Sequence, residues 1–347
     1  MTGGTRKRVG LKTLARELGL DVSTISRALR DDPRVKAETR RAVRDLARRL
    51  EYRPNAAARA LRAGKSGRVA VLLTPPQQRF ASPIFLELLS TLDQKLRDSG
   101  RSLTVFAARR REEEAGIVGQ IVDEGLADGL VLGRTRKEDP RVALLLEAGV
   151  PFVTFGRTDW PERHPWVEID YARAGRLAIR ALAETAEGPV QVLSAPAGLN
   201  FADNYVAGAR AEAAALGLPP PQVARIEMTV AAGQEEAARL LAGPGRPAFA
   251  CIQDSLAFGV YRAAAAAGRA VGRDLAVFGG QNFPGSEHSA PPLSTFSTED
   301  ARVAALLGDV TLRHLVRDGE PPEGGFETHE IAPELLLRRS HRLGVAT

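Results

Sequence analysis

From residue 68 onward the chain alternates short, continuously apolar runs with amphipathic stretches, and this alternation constrains the fold more than any other feature. Val69–Thr74, Leu103–Ala107, Gly129–Leu132 and Phe152–Phe155 are separated by helical segments near 83–98, 112–124 and 138–148. The pattern resumes with Val190–Ser194, Val223–Glu227, Ala248–Gln253 and Leu275–Phe278, between helices near 172–186, 203–216, 233–242 and 254–267. Buried strands alternating with helices mean parallel sheets with right-handed crossovers. Two such runs in tandem predict two Rossmann-like lobes, with a ligand crevice outside the strand ends.

The first 68 residues follow other rules. They hold 19 Lys and Arg against 7 Asp and Glu, whereas the remaining 279 residues hold 29 against 35. A basic head on a mildly acidic body suits a polyanionic partner. Charge alone leaves a solvated helix face equally open, because Arg40, Arg41, Arg44, Arg48 and Arg49 share one helical stretch. Leu11, Leu14, Ala15 and Leu18 keep the spacing of a short amphipathic helix. Gly19 suits its left-handed end and Asp21 the N-cap of a second helix, whose buried face is Ile25, Ala28 and Leu29. Two such helices on a three-residue turn form a helix-turn-helix. A third helix runs from about Ala37 to Glu51, between Pro33 and Pro54, and a short fourth one starts at Asn55 ahead of a linker at 63–67.

Leu11-Lys12-Thr13-Leu14-Ala15, Val22-Ser23-Thr24-Ile25-Ser26-Arg27-Ala28-Leu29, Pro33-Arg34-Val35, Tyr52-Arg53-Pro54-Asn55 and Ala58-Arg59-Ala60-Leu61 together resemble the LacI/GalR family of bacterial transcriptional regulators. The resemblance continues to about Arg338. It departs from the family at Thr13, where Asp is usual, and at Lys36, where Ser usually caps the third helix.

The resemblance implies an all-α helix-turn-helix head at 1–53, a hinge helix and linker at 54–67, and a periplasmic-binding-protein-like α/β body at 68–347. The lobes would comprise about 68–169 with 298–324, and 170–297 with 325–338, and the chain would cross between them near 168–172, 296–299 and 324–327. The helix at about 299–318 would return to the first lobe. In the head, Val22, Ser23, Ser26 and Arg27 would enter the major groove. Lys12, Thr24 and Asn55 would hold phosphates, and Leu61, flanked by Arg59, would wedge into the minor groove. The partner is then a near-palindromic double-stranded operator read by a homodimer. Arg339–Thr347 is too short for a tetramerising coil.

The effector cleft would be lined by Ser82, Phe85, Gly156, Arg157, Phe201, Tyr205, Asp254 and Gln281. Many sugar-responsive members place Arg where Tyr205 stands and Asp where Gln281 stands. Exchanging both charges for neutral hydrogen-bonding groups points to a neutral sugar or small oligosaccharide, with a non-sugar metabolite as the alternative. Asp254 serves equally well in the sequence as a helix N-cap.

Other functions find little support. Histidines 164, 288, 314, 329 and 341 show no metalloprotease spacing, and no nucleophile elbow is present, so no catalytic residue, metal or cofactor is expected. Cys251, the single cysteine, lies in an apolar run as a small buried hydrophobe. A transporter's solute-binding protein would need only the body, and the basic helical head argues against it. Met1–Arg8 leads into a polar helix rather than a signal core, and no run approaches a membrane span, so a cytoplasmic protein is expected.

Overall fold

The computed structural model describes residues 10–29, 31–50, 52, 66–73, 82–316 and 325–344. The chain divides into two compact units, Met1–Gly67 and Arg68–Thr347.

Within the first unit, α1 (Leu11–Leu18), α2 (Val22–Leu29) and α3 (Ala37–Arg49) enclose a small core of Leu14, Ile25, Ala28, Val35, Val43 and Leu46. Gly19 ends α1 at φ +62°, a conformation that costs a residue without Cβ nothing. Asp21 Oδ1 accepts the Ser23 N–H at 2.6 Å and so starts α2. Lys36, at the head of α3, makes no side-chain cap. Asp31 stands at φ +59° and draws in two of the α3 arginines, Arg40 at 2.8 Å and Arg44 closer still. Part of the basic stretch therefore secures the loop between α2 and α3.

In the second unit the first sheet is parallel, with strand order β11-β5-β4-β3-β1-β2. It comprises β1 (Arg68–Leu73), β2 (Ser102–Ala107), β3 (Gly129–Gly133), β4 (Phe152–Phe155), β5 (Trp166–Ile169) and β11 (Thr328–Ile331). The second, also parallel, runs β7-β6-β8-β9, from β6 (Gln191–Ser194), β7 (Gln222–Arg225), β8 (Ala248–Cys251) and β9 (Ala276–Phe278). Helices α4 (Pro83–Asp98), α5 (Glu114–Asp123) and α6 (Pro140–Ala148) belong to the first lobe's crossovers. Those of the second are α7 (Tyr171–Leu182), α8 (Asn200–Ala215), α9 (Val230–Leu241) and α10 (Asp254–Ala266). Helix α11 (Asp300–Thr311), extended by a π-helical turn at Leu312–Val316, packs on α4 and so returns to the first lobe. An antiparallel pair, β10 (Thr295–Ser297) with β12 (Glu334–Leu336), lies where the chain passes between lobes.

The two-lobed α/β plan matches the expectation, with one correction. The first two crossings fall near 169–171 and 297–300, but the third lies at Ala332-Pro333 rather than 324–327. Residues 328–331 pair in parallel with Trp166–Ile169 and extend the first lobe's sheet. Residues 328–331 thereby cover the edge that β5 would otherwise expose and become the edge strand themselves. Helices α7 and α8 pack so closely that a Cβ on Gly208 would overlap the Ala172 carbonyl. No helix among the described residues is long and apolar enough to cross a membrane.

Candidate functional site

Two surfaces carry the sequence-derived site residues. In the head, Lys12, Ser23 and Arg27 are exposed, while Thr24 and Ser26 are half-buried. Val22, Ser23, Ser26 and Arg27 lie along one face of α2, Arg27 in its last turn. Val22 is also half-buried against the head core, so it has a packing role as well as an outward edge. Asn55, Arg59 and Leu61 lie outside the described residues, as does all of the expected hinge helix and linker at 54–67 except Ser66 and Gly67.

The second surface is a cavity of about 60 Å³ between the lobes of the body. It lies where parallel strands end, because the strand-to-helix turns of both sheets face each other there. From the first lobe come Ser82, Ile84, Arg134, Thr135, Phe155, Gly156, Glu168 and Ile169; from the second, Tyr171, Phe201, Met228, Gln253 and Gln281. Arg134 at φ +52° and Gln281 at φ +78° hold left-handed backbone without being glycine, a strain that concentrates at functional turns. Gly156, at φ +119°, is required, since a Cβ there would overlap Thr135 Oγ1. Asn200 joins the lobes across the cleft, donating from its backbone N–H to the Thr135 carbonyl at 2.9 Å and from Nδ2 to the Arg157 carbonyl at 3.0 Å.

An uncharged hydrogen-bond chain crosses one wall. Ser255 Oγ donates to Gln253 Oε1 at 2.8 Å, Gln253 Nε2 to Gln281 Oε1 at 3.0 Å, and Gln281 Nε2 to Tyr171 Oη at 2.5 Å. Burial pushes the Tyr171 phenol far above its ordinary range, so it keeps its proton to donate. The Tyr171 and Phe201 rings meet at 5.2 Å between centroids. Opposite charges stand at the edges. Burial pushes the Arg134 guanidinium down to about 10, against the pull of Glu227, so it stays a cation at neutral pH. Glu168 is 2 % exposed, and burial raises its carboxyl against the opposing Arg157. One of its oxygens takes the Arg157 Nε–H; the other, Oε1, is buried without a hydrogen-bond partner among the described residues. Such an acceptor is costly unless a ligand donates to it.

Of the residues selected from the sequence, the structure brings Ser82, Gly156, Phe201 and Gln281 to this cavity and leaves four outside it. Phe85 is 4 % exposed and packs in the core beneath α4. Arg157 turns to Glu168 and Glu330, with its guanidinium 5.3 Å from the Trp166 ring centroid. Tyr205 is fully buried beside Phe296, and its hydroxyl has no hydrogen-bond partner among the described residues. Asp254 is neither at the cavity nor the cap of its own helix. Its carboxylate, 0 % exposed, accepts from Gly280 N at 2.6 Å, Phe283 N at 2.7 Å, Ser286 Oγ at 2.5 Å and Thr295 Oγ1 at 2.8 Å. It ties the turn after β9 to β10.

Arg134, Glu168, Tyr171 and Gln253 were not picked out from the sequence. Their common signal is position, at or just beyond the end of a parallel strand or at the first turn after it. Gln253 lies one residue before Asp254, and extended backbone there (φ −145°) separates the directions of the two side chains. Among the described residues no three His, Cys, Asp or Glu are grouped to hold a metal ion. Aromatic faces, neutral amides, an open carboxylate oxygen and one cation suit binding of a polar ring.

Both units of the chain resemble known proteins. Residues 10–55 match the family model of bacterial regulatory proteins, lacI family, and residues 192–341 that of a periplasmic binding protein-like domain. The chain is 30% identical over 324 residues to the HTH-type transcriptional regulator AglR of Rhizobium meliloti, covering 91% of this chain and 90% of that one. Its fold is similar to that of the lac repressor dimer bound to operator and the anti-inducer ONPF, with TM-score 0.83 at 20% identity, over 97% of this chain and all of that one. It is similar as well to the regulator CelR in complex with cellobiose, with TM-score 0.70 at 24% identity, over 96% of this chain and all of that one. The chain belongs to the LacI family: it is a DNA-binding transcriptional regulator with a periplasmic-binding-protein-like effector domain, and not an enzyme.

Proposed function

We propose that this regulator is a repressor that binds a pseudo-palindromic operator as a homodimer and responds to an uncharged sugar in the interlobe cavity. The observation that carries the sugar reading is the neutral Ser255–Gln253–Gln281–Tyr171 chain beside the Phe201 ring, with Glu168 Oε1 still open to a donor. Sugar hydroxyls donate and accept together, and a ring's C–H face stacks on aromatics. The cellobiose held by the similar CelR fold supports the same reading. Residues 1–53 form the reading head in this proposal, 54–67 the hinge and 68–347 the effector and dimer body. Arg27 reads guanine by a bidentate pair and Val22 offers apolar contact to a thymine methyl, while Lys12, Thr24 and Asn55 hold phosphates. Leu61 wedges into the minor groove with its dimer mate.

The test is fluorescence anisotropy of the full chain on a duplex selected from a random pool, titrated with neutral monosaccharides and disaccharides. A sugar that changes operator affinity supports the reading. A response confined to organic acids, sugar phosphates or purines would overturn it.

A further inference from the structure

The loop after α2 places two carboxylates beside the residue proposed to read guanine. Arg27 is exposed in the last turn of α2 and makes no ion pair among the described residues. Asp31 follows it by four residues, the spacing at which opposite charges meet along a helix. The Asp32 N–H bonds back to the Arg27 carbonyl at 3.1 Å. Either acid could draw the Arg27 guanidinium to itself, and either would repel DNA phosphates if left uncompensated.

Both acids are already occupied. Arg40 and Arg44 reach Asp31 from α3. Arg34 closes on Asp32 from within the loop: its backbone N–H and its Nε each donate to Oδ1 at 3.0 Å, and its Nη2 donates to Oδ2 at 2.7 Å. This fork takes up both carboxylate oxygens. The bonds from Arg34 hold the Asp32 carboxyl well below the usual range, and the nearby charge of Arg27 adds to them. A third acid, Asp21, accepts the Ser23 N–H at the start of α2. The Arg34 side chain is 77% exposed, and a pair so open to water adds little to the stability of the head. Its effect falls on the charges around it.

We propose that Arg34 is a positioning residue for DNA reading: it acts through Asp32, holding that carboxylate off Arg27 so that the Arg27 guanidinium stays available to a base. This rests on the base-reading role proposed above for Arg27 and adds what keeps that side chain free. Arg34 then contributes to operator choice without touching a base.

Fluorescence anisotropy of the full chain tests this, on a duplex selected from a random pool and on an unrelated duplex of the same length. Arg34→Ala should weaken operator binding about tenfold and binding to the unrelated duplex by threefold or less, because a captured Arg27 loses base discrimination first. Asp32→Asn removes the charge and keeps an acceptor for the residue 34 N–H. The double variant Arg34→Ala/Asp32→Asn should therefore recover discrimination to within threefold of wild type, which a head that had failed to fold would not do. Equal losses on both duplexes with a shallower salt dependence would make Arg34 a phosphate contact and overturn the proposal. So would a single variant that discriminates like wild type, or a double variant as poor as the single one. If Arg27→Ala itself leaves discrimination intact, the base-reading role fails, and the proposal with it.

Discussion

Replacing Tyr205 by Phe should stabilise this protein, the reverse of what losing a buried tyrosine hydroxyl ordinarily does. The side chain is 0 % exposed, and its ring packs near Phe296 with 6.5 Å between centroids. Phe keeps all of that ring burial. What is removed is a hydroxyl with no hydrogen-bond partner among the described residues, in surroundings that push its pKa well above the usual tyrosine range, chiefly through burial. An unsatisfied buried polar group costs about 1–3 kcal/mol. The expected gain is about 1–2 kcal/mol, and for a unit of this size that raises Tm by roughly 2–6 °C. Both tryptophans, Trp160 and Trp166, lie in the body, so fluorescence-detected denaturation reports on the unit that holds Tyr205. Effector affinity should not change, because Tyr205 is outside the cavity lining. A destabilised variant would mean that the hydroxyl is satisfied in solution. A weakened effector complex would mean that the side chain reaches the ligand, and either result refutes the reasoning.

Asp254 should give the protein an unusual pH dependence. Burial raises its carboxyl from 3.8 to about 6, so its contribution to stability is full below pH 3.8 and is lost as pH rises through 6. Relative to Asp254→Asn, the wild type should therefore gain roughly 1 kcal/mol between pH 7 and pH 5, measured by urea denaturation; a flat difference would contradict the raised value. Asp254→Ala leaves the buried N–H groups of Gly280 and Phe283 without an acceptor and should cost about 3–5 kcal/mol at neutral pH. Gly156→Ala combines overlap with Thr135 Oγ1 and backbone at φ +119°, and should cost about 2–3 kcal/mol in the same assay. Arg27→Ala should lose about 1–3 kcal/mol of discrimination between operator and unrelated duplex, and equal losses on both would exclude base reading. Gln253→Ala interrupts the neutral chain and should weaken effector binding about tenfold by calorimetry while operator affinity without effector stays unchanged.

The head was legible because everything that shapes it is local. Helical spacing, Gly19 in the left-handed region and Asp21 on the Ser23 N–H each act within a few residues. The long apolar strands were legible for a similar reason, since a strand buried on both faces must be continuously apolar. By contrast Trp166–Ile169 is four residues long and carries Glu168, and it becomes a strand only with β4 on one side and Thr328–Ile331 on the other. That pairing also assigned residues 328–331 to the first lobe, because a strand's membership depends on which edge has unmet hydrogen bonds.

The same division runs through the site. The sequence by itself determined that strand ends from two lobes would face each other, and so that a ligand crevice exists; the resemblance to the family is what pointed to Ser82, Phe201 and Gln281. Only the tertiary structure decided which of two neighbouring polar residues enters it. Gln253 turns toward the cavity and Asp254 away, because four donors from residues 280–295 converge on the Asp254 carboxylate. Those donors lie 26 to 41 residues away in the chain, beyond the reach of any spacing rule. Burial of a charge is set by the segments that fold over it, and only the folded chain brings them together.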